Sequence, residues 1–245
     1  MECPILADAS GQERAKSLAS FLNSKLIDKA PKNGSFLSIT HNVLEFNSFI
    51  DNELRTLKVD FLRGSMGWRL NRPEHETQLK KALGKSTKEL SIFDATAGML
   101  GDSMIFLSLG HKVVSCEQSK IIYLLVKDAC ERAQEELPFL KNLTLINGNS
   151  PDIHELNKNL DFDVIYLDPL YPQSKKSSKR SGDIALLKSA IELENIKDIG
   201  DEIFHRFRNK AHKKIILKRP VKAPLICNKI NYQIKGKSTR FDIYI

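Results

Sequence analysis

Between residues 161 and 180 the chain reads DFDVIYLDPLYPQSKKSSKR. An apolar run ends in the carboxylate of Asp168, and Pro169, Leu170 and Tyr171 follow before a burst of lysine. That order of groups suits one chemical problem. The exocyclic amine of a nucleobase is a poor nucleophile, because its lone pair is delocalised into the ring. A carboxylate and a backbone carbonyl that accept its two N–H bonds can turn the lone pair toward an electrophile. Proline stiffens such a loop and removes a competing donor, and Tyr171 can stack on the base. Asp168, Pro169 and Tyr171 therefore form the candidate catalytic group. Asp168 stabilises positive charge developing on the nitrogen, and alignment supplies much of the rate.

Three further segments could hold the electrophile. FDATAGMLGDS places Gly98 and Gly101 where a backbone can approach a ligand closely. It lacks the G-x-G-x-x-G dinucleotide pattern. Asp94 and Asp102 bracket the loop, and two carboxylates repel a pyrophosphate but welcome a cation such as a sulfonium. Glu117 ends the next apolar run, 19 residues after Gly98, where an acid can accept hydrogen bonds from both hydroxyls of a ribose. Asn149 and Ser150 end a third run with short polar groups suited to an adenine edge. Three polar ends lining one crevice point to an adenosyl group, and the acids tip the choice from NAD to S-adenosyl-L-methionine.

These residues must be positioned by alternating elements. From residue 90, ELSIFDAT, HKVVSCE, LTLING, DFDVIYLD and KKIILKR read as strands. GDSMIFLSLG, SKIIYLLVKDACERAQEEL and a stretch over 183–209 read as helices. NKINYQIKGK and STRFDIYI close the chain as an antiparallel pair, their connection being too short for a crossover. The expected fold is α/β: a doubly wound, mainly parallel seven-stranded sheet over 86–245, with its ligand crevice beyond the carboxyl ends of the strands. Residues 1–85 read as a small N-terminal α/β extension. It holds a helix near 12–26, extended pieces at FLSIT and KVDFLRG, and a polar helix over 75–83 ended by Gly84.

Four scattered cysteines and six scattered histidines show no ligand spacing, which argues against a metal. No apolar run is long enough to span a bilayer, and the first residues lack the order of a signal peptide, so a cytoplasmic protein is expected. Charge is divided unevenly. Residues 174–245 hold 18 Lys and Arg against 7 Asp and Glu, whereas residues 1–173 hold 20 against 23. A chain that meets a polyanion through one end has this asymmetry. Lys175, Lys176, Lys179, Arg180, Lys218 and Arg219 are the candidate phosphate contacts. Arg63, Arg69 and Arg72 are the alternative surface. Nothing in the sequence sets an oligomeric state.

VDFLRGSMGWRL (59–70), DATAGMLGDS (94–103), Cys116-Glu117, INGNS (146–150), LDPLYP (167–172), LKRP (217–220) and GKSTRFDIY (236–244) together resemble one family. In that order they are similar to the class I S-adenosylmethionine-dependent methyltransferases, and more narrowly to bacterial small-subunit ribosomal RNA guanine-N2 methyltransferases of the RsmJ type. The resemblance implies a Rossmann-like fold, S-adenosyl-L-methionine as cofactor, and methylation of one guanine exocyclic amine in 16S rRNA or the small ribosomal subunit. It carries cofactor binding to Gly101, Asp102, Glu117, Gln118, Asn149, Ser150 and Asp168. Gly101 and Gln118 stand where the family usually has arginine, and Asn149-Ser150 where it has two serines. Three rivals stand beside this reading, of which an NAD-linked oxidoreductase is opposed by the missing glycine pattern. The second is an adenine-N6 or cytosine-N4 amino-methyltransferase acting on DNA or RNA; the third is a non-catalytic rRNA-binding assembly factor.

Overall fold

The structure is a computed structural model describing residues 3–85, 88–156, 161–170, 182–197, 200–210 and 213–245. The first elements are β1 (Ile5–Ala7), α1 (Gln12–Leu22), β2 (Leu26–Ile27), β3 (Ser35–Thr40), β4 (Val43–Ile50) and β5 (Glu53–Leu57). Next come α2 (Gly64–Leu70), α3 (Thr77–Leu83), β6 (Ser91–Asp94), α4 (Gly101–Ser108), β7 (Lys112–Glu117) and α5 (Lys120–Ala133). Then follow β8 (Leu143–Asn147), α6 (Ser150–Leu156), β9 (Val164–Leu167), α7 (Gly182–Leu193) and α8 (Glu202–Arg208). The chain closes with β10 (Ile215–Pro220), β11 (Tyr232–Lys235) and β12 (Thr239–Tyr244).

Two compact units alternate along the chain. The first comprises the described residues within 3–60, 119–132 and 182–197. Its five-stranded sheet runs β2-β1-β3-β4-β5, with β1 parallel to β2 and β3 and the rest antiparallel. Two tight hairpins build the antiparallel half. His41-Asn42 and Asp51-Asn52 all have positive φ, between 49° and 63°, the mirror-image turn whose twist matches paired strands. Asp8 caps the 3-10 turn Ala9–Gly11 that leads into α1, accepting from Ser10 N and Gly11 N at 3.0 Å, and left-handed Asn23 ends the helix. That stop falls short of the expected 26, and Leu26 begins a strand instead.

The second unit comprises the described residues within 61–118, 133–172 and 200–245, so residue 85, the expected boundary, lies inside it. Its seven-stranded sheet has the order β11-β12-β10-β9-β6-β7-β8. Pairings among β6 to β10 are parallel, and β12 runs antiparallel to both β10 and β11. The central strands are apolar on both faces, as strands covered by helices must be. Phe93, Ile165, Leu167, Phe204, Phe207, Ile215, Leu217 and Tyr244 make one buried cluster. The segment KVDFLRG is not a strand: Val59 and Phe61 are buried from a loop that leads into α2. The single helix expected over 183–209 is two, and Asn195 and Gly200 at positive φ lie between them.

Candidate functional site

The chain passes from β6 to β7 and β8 on one side, then returns to place β9 on the other side of β6. Such a reversal opens a crevice at the carboxyl ends of the two central strands. Asp94 ends β6 opposite Tyr166 of β9, so Asp168 comes out beside the glycine loop. Thr96 ties the two ends together by accepting the Asp168 N–H with its hydroxyl at 2.6 Å.

Asp94 is buried. It accepts from Thr96 N at 3.1 Å and from the Ser103 hydroxyl at 2.5 Å, and Ser103 and Ser115 share a further hydrogen bond of 2.8 Å. Burial pushes its carboxyl up to about 7, against the pull of those hydrogen bonds and with help from the charges of Asp102 and Asp168. The loop itself turns through two left-handed residues, Gly98 at φ 50° and Leu100 at φ 60°. A bulky side chain in that region marks a conformation imposed by its surroundings, and Leu100 is fully buried.

A ladder of alternating charge crosses the crevice. The Arg69 guanidinium from α2 binds Glu76 at 2.6 Å, the Gly101 carbonyl at 3.1 Å and Asp102 at 2.9 Å. Asp102, in the first turn of α4, also accepts from the Tyr166 hydroxyl at 2.5 Å and from Lys218 at 2.7 Å. Lys218 reaches on to Asp168 at 2.9 Å. Its place follows from register: Leu217 of β10 lies beside Leu167 of β9, which sets the next residues level. Burial raises the Asp102 pKa, but Lys218, Tyr166 and Arg69 outweigh it and hold the carboxyl below the usual range. Asp168 goes the other way. Burial lifts it, Lys218 opposes, and the charge of Asp102 adds to the lift. Two carboxylates at one site thus have pKa values driven apart, the pattern that assigns them different roles.

At the neighbouring strand ends, Glu117 accepts the Gly98 N–H at 2.8 Å. Asn147 donates to the carbonyls of Glu117 and Gln118 at 2.8 and 3.2 Å. Gln118 is exposed. The Asn149 carbonyl starts α6 by accepting from Asp152 N and Ile153 N, and Ser150 is buried in its first turn.

Gly101, Asp102 and Asp168 are thus linked through Arg69 and Lys218, Asp94 and Asp168 both bond Thr96, and Glu117 touches the loop at Gly98. Tyr171, Lys175, Lys176, Lys179 and Arg180 lie outside the described residues. Two of the expected phosphate contacts are held in ion pairs. Arg219 is 3% exposed and paired with Asp201, and Lys218 is held between two carboxylates. Neither presents a free charge to a polyanion. Arg69 is likewise turned inward on Glu76 and Asp102. Sequence reasoning missed Thr96, Ser103, Ser115 and Tyr166 as parts of the site. A tyrosine and two serines inside apolar elements were the available signal, since buried hydroxyls need partners.

Among the described residues no cluster of His, Cys, Asp and Glu could hold a metal ion, and no helix is long and apolar enough to cross a membrane. A SAM-dependent methyltransferase from Neisseria gonorrhoeae superposes with a TM-score of 0.74 at 28% identity, over 99% of this chain and 95% of that one. The sheet order and the acidic strand ends define the Rossmann-like fold of class I SAM-dependent methyltransferases. A family model described as "Putative SAM-dependent methyltransferase" matches residues 21–245. Ribosomal RNA small subunit methyltransferase J of Desulfotalea psychrophila is 32% identical over 95% of this chain and 91% of its own length. The protein of that name from Thioalkalivibrio sulfidiphilus is 30% identical over 96% and 93%. The chain belongs to the ribosomal RNA small subunit methyltransferase J family.

The crevice suits a cationic adenosyl cofactor. A Cβ added at Gly98 would meet nothing nearer than the Thr96 carbonyl at 3.9 Å, so the backbone there is not crowded by neighbouring atoms. The acids around that loop complement a sulfonium.

Proposed function

We propose that this chain transfers a methyl group to the exocyclic N2 amine of one guanosine in 16S ribosomal RNA, within the cytoplasm. The observation that carries the reading is Asp168, fixed at the carboxyl end of β9 by Thr96 and Lys218 and followed by Pro169. The family relationship supplies the substrate class.

In this reading Gly98, Gly101, Asp94, Asp102, Glu117, Gln118, Asn149 and Ser150 hold the cofactor. Glu117, whose carboxylate accepts the Gly98 N–H, accepts from the ribose hydroxyls. The cofactor supplies an electrophilic methyl on a sulfonium. Asp168 and the carbonyl of Pro169 accept the two amine N–H bonds, which aims the nitrogen lone pair and stabilises the positive charge it acquires. Tyr171 stacks on the base. Asp168 performs this role best as a carboxylate, because protonation removes the negative charge that balances the developing cation and turns one of its oxygens into a donor. Lys218 is the residue that keeps it ionised, and Arg69 and Tyr166 hold Asp102 so that Lys218 stays in place. Lys175, Lys176, Lys179 and Arg180 grip flanking phosphates.

The test is methyl transfer from labelled cofactor to small ribosomal subunits taken from a strain lacking this protein, followed by mapping of the modified nucleotide. The reading expects label in 16S rRNA at one guanosine N2 and none in DNA. Label at adenine N6 or cytosine N4, or no transfer at all, refutes it.

A further inference from the structure

Trp68 is the sole tryptophan of the chain, and half of its surface is exposed. It sits on α2 beside Arg69, whose guanidinium holds Asp102 and the Gly101 carbonyl. The short helix that bears the indole is therefore pinned to the lip of the glycine loop. The Arg72 guanidinium lies over the indole, 5.1 Å from its centroid, and the His75 ring stands 5.7 Å away, tilted by 51°. Leu62 and Arg63, both exposed, belong to the same stretch. Between residues 58 and 81 there are six lysines and arginines against three acids. Of those acids Glu76 is bound to Arg69, and Glu74 lies 3.5 Å from His75.

A large aromatic ring left in water on a short helix does nothing for the core. Any polar side chain would serve the helix as well, so the indole needs another explanation. Tryptophan beside arginine also suits protein interfaces, but the surplus of lysine and arginine between residues 58 and 81 favours a polyanion. Indole faces stack on nucleobases regardless of sequence, and neighbouring arginines add cation–π contact and bind phosphate. Only a base free of its own duplex can offer its face in this way. We propose that Trp68, with Arg72 and Arg63, forms a stacking platform for an unpaired nucleotide of the RNA substrate, close to the nucleotide that enters the crevice. The proposal rests on the RNA reading above and adds to it a specific contact outside the cofactor and amine-binding groups.

Because there is only one tryptophan, emission excited at the red edge of the indole band, where the five tyrosines do not absorb, reports on this position alone. Titration with an unpaired RNA of about 12 nucleotides, within the span such surfaces cover, is expected to quench that emission saturably. Trp68→Ala is expected to weaken the same RNA by about tenfold or more, read by anisotropy of end-labelled RNA. Trp68→Phe should lose only part of that affinity. Both variants should melt with the parent and bind cofactor as it does. RNA that binds with no change in emission, or equal affinity in Trp68→Ala, overturns the proposal. So does a Trp68→Ala loss confined to whole subunits with naked RNA unaffected, which would assign the ring to a protein contact. Failure of the methyltransferase reading is separate, since it would appear as wild-type protein that modifies no RNA.

Discussion

Replacing Lys218 with methionine keeps the length and apolar stem of the side chain but removes the ammonium lying 2.7 Å from Asp102 and 2.9 Å from Asp168. A nearby opposite charge lowers a carboxyl pKa by about 1–3 units. Its loss should therefore raise Asp168 further, from a position burial already holds above the usual range. Asp168 is 34% exposed, so solvent screens part of this effect and the low end, about 1–2 units, is expected. Asp102 stays ionised through Arg69 and Tyr166 and adds like-charge pressure. Once the Asp168 pKa passes the assay pH, each further unit removes up to about nine-tenths of the remaining carboxylate. The acid limb of kcat against pH, followed over about pH 5 to 9, should therefore move up by about 1–2 units, so that the variant loses most at the acid end and recovers as pH rises. The KM for cofactor should change far less. Lys218→Arg, which keeps the charge, should follow the parent profile. The assay is labelled methyl transfer to under-modified subunits across that pH range, with melting temperatures to show that the variants are folded. An equal loss at every pH, or no loss, would refute the claim that Lys218 acts through the charge state of Asp168.

Three other outcomes are expected. Asp168→Ala should reduce methyl transfer by more than about a hundredfold even at saturating cofactor, the scale of losing a group that holds a transition state. Asp94 has a folded-state pKa of about 7, so the native state holds its proton more tightly than the unfolded chain does. Its contribution is full at low pH and is lost as pH rises from the ordinary carboxylate range through about 7; melting temperatures of Asp94→Asn and the parent across that window should diverge accordingly. Neutralising Lys175, Lys176 and Lys179 together should flatten the dependence of RNA affinity on salt, and an unchanged slope in filter binding would move the phosphate contacts elsewhere.

The regular part of the fold was legible because its signals are local. Apolar runs of strand length ending in Asp94, Glu117, Asn149 and Asp168 alternate with helices, and a sheet of that kind brings such ends to one rim. The N-terminal meander was harder to read. His41-Asn42 and Asp51-Asn52 are turn pairs without glycine, and KVDFLRG has the composition of a strand but is buried as a loop. The helical stretch 183–209 gave no clear sign of its break, because Asn195 and Gly200 are single residues in an otherwise favourable composition.

From its residues alone the chain declared an α/β sheet, acidic strand ends brought to one rim, and an Asp-Pro pair after the fourth strand of that sheet. Periodicity and residue type suffice for these, since both act over a few neighbouring positions. What the tertiary structure decided is where each charge is answered. Lys218 and Arg219 look alike in sequence as exposed cations, yet one bridges Asp102 and Asp168 and the other is buried against Asp201. Arg69 and Tyr166 meet at Asp102 from opposite ends of the sequence gap. Those partnerships depend on the register of β9 with β10 and on the packing of α2 and α4. Contacts between residues so far apart leave no periodic trace along the chain.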